Sequence, residues 1–122
     1  MRILYNSKLS QFKSPFGTLR PGETCTMHIQ IPCSCQTVHV EVRLLREDGK
    51  PYLNVPMAKT AATELYETWT AAFALDDPDL YFYFFQITTK NESFRLLKQG
   101  DDTNMEEGDW WQVSVIAEEF AV

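Results

Sequence analysis

Leu80-Tyr81-Phe82-Tyr83-Phe84-Phe85-Gln86-Ile87 is the stretch that decides the fold. Only Gln86 is polar, and the aromatic and β-branched content suits a pleated strand. The run is bounded by Asp76-Asp77-Pro78-Asp79, which has the chemistry of a tight turn, and by Thr89-Lys90-Asn91-Glu92, a second turn. Seven apolar residues out of eight between turn signals read as a buried strand. Apolar on both sides, it sits centrally in a sheet or lends its outer face to a ligand or partner.

Working outward, the same period of two recurs. Thr24 to Ile31 alternates, with Cys25, Met27, Ile29 and Ile31 inward and Thr24, Thr26, His28 and Gln30 outward. Thr37 to Leu45 alternates too, with Val38, Val40, Val42 and Leu44 inward and His39, Glu41 and Arg43 outward, ending at the turn Arg46-Glu47-Asp48-Gly49-Lys50. Tyr52 to Met57 reads as an edge strand, because Pro56 has no amide to give to a ladder. Met57 to Leu75 is rich enough in Ala, Leu and Glu to read as a helix. A strand over Glu64 to Leu75 is preferred: Leu65, Glu67, Trp69, Ala71 and Phe73 fall on one face at period two. Ser93 to Leu97 pairs back after the central strand. Trp110 to Ile116 closes the chain, with Trp111, Val113 and Val115 against Trp110, Gln112 and Ser114. These signals predict an all-β, immunoglobulin-like antiparallel β-sandwich of about seven strands, with no helix required.

Length and charge narrow the function. The 122 residues suffice for one domain spanning 1–122. Seventeen acids against eleven bases give a net charge of −6, which repels nucleic acid and anionic membrane surfaces. Seven acids, Asp101, Asp102, Glu106, Glu107, Asp109, Glu118 and Glu119, fall after Lys98 with no Lys or Arg among them, so the first 98 residues are close to neutral. The sequence has no apolar run of membrane-spanning length, and its first residues lack the apolar segment of a signal peptide, so a cytoplasmic location is expected. Three cysteines, Cys25, Cys33 and Cys35, fit reduced thiols better than a disulfide framework.

The inventory for catalysis is poor. His28 and His39 fall on outward strand phases, far from any glycine-framed serine, and read as surface residues. Cys33-Ser34-Cys35 lacks the spacing of a zinc pair, and no glycine-rich phosphate loop exists, so neither a metal nor a cofactor is expected. The oxygen-rich segment Asp101 to Asp109 resembles a calcium site in composition but lacks the spacing of an EF-hand loop, and reads first as a solvated loop.

Several segments together resemble a family. Phe12-Lys13-Ser14-Pro15-Phe16-Gly17-Thr18-Leu19-Arg20-Pro21-Gly22, then Val42-Arg43-Leu44-Leu45, Val55-Pro56-Met57, Leu80-Tyr81-Phe82-Tyr83-Phe84-Phe85, Gly100-Asp101-Asp102 and Trp111-Gln112-Val113-Ser114-Val115 occur in order over Asn6 to Phe120. This resembles the N-terminal β-sandwich domain of α-amylase-family glycosidases of the neopullulanase and cyclomaltodextrinase type. Asp79 stands where that family usually has Gly, and the loop Asp101 to Asp109 is shorter than its counterpart. The resemblance implies a non-catalytic N-terminal module of a longer α-glucan hydrolase, followed by a (β/α)₈ catalytic domain that would carry the carboxylates.

Two roles follow from that resemblance. In the first, the module binds starch or maltooligosaccharide on exposed aromatics chosen from Trp69, Tyr81, Tyr83 and Trp110, because a pyranose ring buries its apolar face best on a flat side chain. In the second, the domain is structural, packing on its own catalytic barrel or on a second subunit in a homodimer without holding sugar.

Overall fold

The computed structural model describes residues 2–117 as two packed antiparallel sheets with no α-helix. Glu118, Glu119 and Phe120 lie outside the described residues. The ten strands are β1 (Lys13–Ser14), β2 (Thr24–Pro32), β3 (Thr37–Arg46), β4 (Pro51–Pro56), β5 (Ala58–Ala62), β6 (Tyr66–Ala74), β7 (Asp79–Thr89), β8 (Ser93–Gln99), β9 (Asp102–Asn104) and β10 (Trp111–Val115). One sheet has the order β1-β2-β6-β5; the other runs β4-β3-β7-β8-β9, with β10 also paired to β7.

β7 is the central strand that its sequence demands. One of its edges carries β3 along almost its whole length. Its other edge is shared: Asp79 to Tyr83 pairs with β10 and Phe85 to Thr88 pairs with β8. Tyr81, Tyr83, Phe85 and Ile87 point inward and are fully buried against Met27, Ile29 and Ile31 of β2 and Trp69 and Phe73 of β6. Each such side chain contributes about 1.5–3 kcal/mol by leaving water. The opposite face of β7 builds a small second cluster, in which Phe84 and partly buried Phe82 pack with Leu45 and Leu97.

The alternating phases of β2, β6 and β10 hold: Cys25, Met27, Ile29 and Ile31, then Trp69, Ala71 and Phe73, then Trp111, Val113 and Val115 are all buried. β4 lies at a sheet edge beside β3, where Pro56 is tolerated. Two inward assignments are corrected. Val38 is 55% exposed, because a bulge between Thr37 and His39 turns it outward before the regular register begins at Val40. Leu65 is exposed because it precedes β6 in the turn where Leu65 and Tyr66 donate to Thr63 Oγ1. Three strands exceed the expected seven. β1 has two residues and β9 three, too few for a periodicity, while β5 is exposed throughout and shows no alternation. At Met57 the chain leaves the six-stranded sheet for the four-stranded one, held by its N–H donating to the Val40 carbonyl at 2.8 Å.

Candidate functional site

The four aromatics expected to meet sugar do not share a surface. Tyr81 and Tyr83 are fully buried and Trp69 is 7% exposed, so the expectation that they face solvent is corrected. The reason is the phase of β7: of its two apolar faces, the tyrosine face is the inner one. The Tyr83 hydroxyl lies 2.7 Å from that of Tyr5, and the Tyr81 hydroxyl donates to the Asp77 carbonyl at 2.8 Å. Burial, with Tyr52 nearby, pushes the Tyr81 phenol up to about 12, and burial raises those of Tyr5 and Tyr83 as well. Trp69 belongs to the buried core and donates its indole N–H to Glu67 Oε1 at 3.2 Å.

Trp110 alone of the four is exposed, at 36%. Its position is fixed from both sides. Asp109 and Lys98 exchange two backbone hydrogen bonds of 2.8 Å, tying the residue before Trp110 to β8. Trp111 begins β10 opposite Tyr83, pointing inward, so Trp110 must point outward. The indole leans on Phe82, with ring centroids 5.9 Å apart, and on the turn between β3 and β4, where a Cβ added to Gly49 would sit 3.5 Å from Trp110 Cη2. Gly49 has φ +83°, a left-handed conformation that suits glycine at this turn.

Beside the ring lies an open hollow of about 530 Å³ lined by Ser7, Phe82, Lys98, Asp109, Trp110 and Gln112. A flat apolar ring edged by a hydroxyl, an amide, an ammonium and a carboxylate can stack on the apolar face of a small polyol and bond its hydroxyls. The sequence announced Trp110 through its phase. It did not announce Phe82, Ser7 or Gly49, which are distant in the chain and meet only once β7, β10 and the β3–β4 turn are assembled.

A second aromatic surface was not anticipated. Tyr52 on β4 is exposed, and the Arg46 guanidinium lies 5.0 Å from its ring centroid while donating to Asp79 Oδ2 at 2.8 Å. These groups satisfy one another, and none of them lines the hollow beside Trp110.

Elsewhere the polar groups are spent on structure. His28 Nδ1 meets Thr70 Oγ1 at 2.8 Å across the β2–β6 pair, and His39 Nε2 lies 3.6 Å from Glu41 Oε2. In the acidic segment, Asp101 pairs with Lys8 and Asp102 with Arg2, while Asn104 Oδ1 accepts the N–H groups of Glu106 and Glu107. Among the described residues no three His, Cys, Asp or Glu side chains gather as metal ligands. The three cysteines are free thiols, and burial raises the pKa of both Cys25 and Cys35. No described helix is long and apolar enough to cross a membrane.

No protein-family model matches the chain, and no curated protein matches it by sequence. Among solved structures it is similar to a cyclomaltodextrinase, with TM-score 0.63 and 16% identity over 94% of this chain and 19% of that one. It is also similar to the cycloalternan-forming enzyme of Listeria monocytogenes in complex with a pentasaccharide substrate, with TM-score 0.56 and 17% identity over 86% of this chain and 10% of that one. A third is an uncharacterized protein of Listeria monocytogenes EGD-e in complex with α-D-glucose, β-D-glucose, magnesium and calcium, with TM-score 0.56 and 20% identity over 76% of this chain and 8% of that one. At these identities the likeness is one of fold, and the chain spans a fifth or less of each of these proteins.

Proposed function

We propose that this chain is the non-catalytic N-terminal β-sandwich module of a longer, cytoplasmic α-glucan hydrolase, and that it contacts glucan through the hollow beside Trp110. The observation that carries the reading is the extent of the fold likeness: nearly all of this chain corresponds to a fifth of a cyclomaltodextrinase, the proportion of a module to a whole enzyme. The Trp110 ring with its polar rim supplies the contact chemistry, and the three free thiols suit a reducing compartment. An open hollow with one firm platform holds sugar weakly, at about millimolar to tens of micromolar, because few contacts remain after the entropy of association is subtracted.

Titration of the ¹⁵N-labelled chain with maltotriose tests this. The Trp110 indole, Asp109 and Gln112 resonances should shift saturably. Shifts confined to loops far from Trp110, or none at millimolar sugar, would overturn the sugar contact. The second reading, a structural module packed on its own catalytic barrel or on a second subunit, is favoured by exposed Leu9 and Ile116 near the two ends of the described chain. It predicts no sugar-dependent shifts, and a dimer by sedimentation if the partner is another copy.

A further inference from the structure

We infer that the Trp110 hollow is one half of a longer groove along the outer edge of β10, shaped for a linear, neutral oligosaccharide rather than a single sugar ring, with Phe16 as its second apolar platform. The inference rests on the reading above for the class of ligand. A second hollow, of about 320 Å³, shares Ser7 and Gln112 with the first, so the two are contiguous. Phe16, 65% exposed, bounds it together with Ser114 and Thr18. From Trp110 to Ser114 the extended chain advances about 13 Å, more than one pyranose ring covers.

The floor of this groove is polar in a particular way. The Leu19 N–H donates to the Ser114 carbonyl, and the Ile116 N–H donates to the Leu19 carbonyl, both at 2.9 Å. Alternate residues of a strand direct their backbone groups to the same side, so Gln112 also turns its N–H and C=O away from β7, toward the edge where, among the described residues, β10 has no partner strand. A main-chain donor and acceptor side by side, with the Gln112 amide and the Ser7 hydroxyl, match the paired hydroxyls of a glycan.

Charge separates this ligand from others. Lys98 and Asp109 offset one another at the rim, Lys8 is engaged by Asp101 at 3.1 Å, and Lys13, the remaining cation along the groove, is buried with its ammonium donating to the Pro15 and Gly17 carbonyls, so the groove presents no exposed unengaged cation to an anion. A neutral chain with apolar ring faces and hydroxylated edges fits both the aromatics and the free backbone groups.

The test compares maltose with maltoheptaose on the wild type, Phe16→Ala and Trp110→Ala, following ¹⁵N shifts and affinity. The wild type should bind the heptasaccharide about tenfold more tightly than maltose, the gain expected from one more ring on an aromatic platform. The longer sugar should move residues 16–18 as well as Trp110. Phe16→Ala should abolish the tenfold ratio, and its exposure makes misfolding no obstacle. Equal affinities for the two sugars, or an unchanged ratio in Phe16→Ala, would overturn the extended groove while leaving the Trp110 contact standing. Absence of any shift with either sugar would overturn both.

Discussion

Truncating Trp111 to alanine puts the phase of β10 to the test, because the inner and outer surfaces of the sandwich both depend on it. Trp111 is 3% exposed and lies among three rings: Tyr5 at 5.1 Å, Phe85 at 5.5 Å and Tyr83, nearly parallel to it, at 5.8 Å between centroids. Removing an indole from such a site costs its transfer free energy and leaves a cavity, about 3–5 kcal/mol together. Against a total stability of about 5–15 kcal/mol that is a large fraction. For a domain of this size it corresponds to a fall in Tm of about 10–20 °C. Trp110, a third exposed and resting on Phe82 and Gly49, should cost about 1 kcal/mol when cut to alanine. Urea midpoints followed by far-UV circular dichroism, with scanning calorimetry alongside, give both numbers. Trp111→Phe keeps part of the ring contact and provides a value if the alanine variant does not fold. Equal losses at the two positions, or the larger loss at Trp110, would refute the assigned phase.

Tyr83→Phe leaves the buried Tyr5 hydroxyl without its partner and should cost about 1–3 kcal/mol, whereas adding Tyr5→Phe should recover much of that, a coupling that a double-mutant cycle in urea reads directly. Tyr81 keeps its proton to about pH 12 in the fold against 10.0 for an ordinary tyrosine, so stability should be intact below pH 10 and fall between pH 10 and 12, as the unfolded chain ionises and the folded one resists. Absorbance at 295 nm during an alkaline titration should then show Tyr5, Tyr81 and Tyr83 ionising only as the near-UV dichroism is lost. Gly108→Ala combines φ +147° with a Cβ that would collide with the Lys98 carbonyl and crowd Leu97 Cβ, so it should cost more than 2 kcal/mol, while Gly17→Ala, at φ +83° with open space around it, should cost only about 1–2; thermal melts compare them.

The sandwich was legible because two of its inner strands write their burial into the chain. β2 alternates without a break, and β7 is apolar on both faces, one face entering the core between the sheets and the other the small outer cluster with Leu45 and Leu97. What escaped was settled by neighbours rather than by local sequence. Val38 keeps the inward phase on paper, and a single bulged residue reverses it. β5 reads as nothing in particular because an exposed edge strand buries neither face. The candidate site was legible in one residue of four for a similar reason. A strand apolar on both sides does not say which side is inner; the chain offered tyrosines on one face of β7 and phenylalanines on the other. The inner face went to the tyrosines, whose hydroxyls find Tyr5 and the Asp77 carbonyl, leaving Phe82 and Phe84 for the outside.

That allocation separates stability from recognition on the same two strands. Odd-numbered residues of β7 and β10 carry the core; Phe82, Trp110 and Gln112 carry the surface. A slip of one residue in the pairing of β10 with β7 would exchange the roles of Trp110 and Trp111 and empty the groove of its platform. Contacts at both ends of β10 oppose the slip. Asp109 is locked to Lys98 by reciprocal backbone bonds, with Gly108 fitted against the Lys98 carbonyl, and the far end is clasped by Leu19 through Ser114 and Ile116. Gly108 therefore reaches beyond its own loop: alanine there should loosen the first clasp, and the Trp110 indole resonance should broaden or shift even in variants that remain folded. An unmoved Trp110 signal in a folded Gly108→Ala chain would show that Leu19 and the inward packing of Trp111 hold the register without help from the turn.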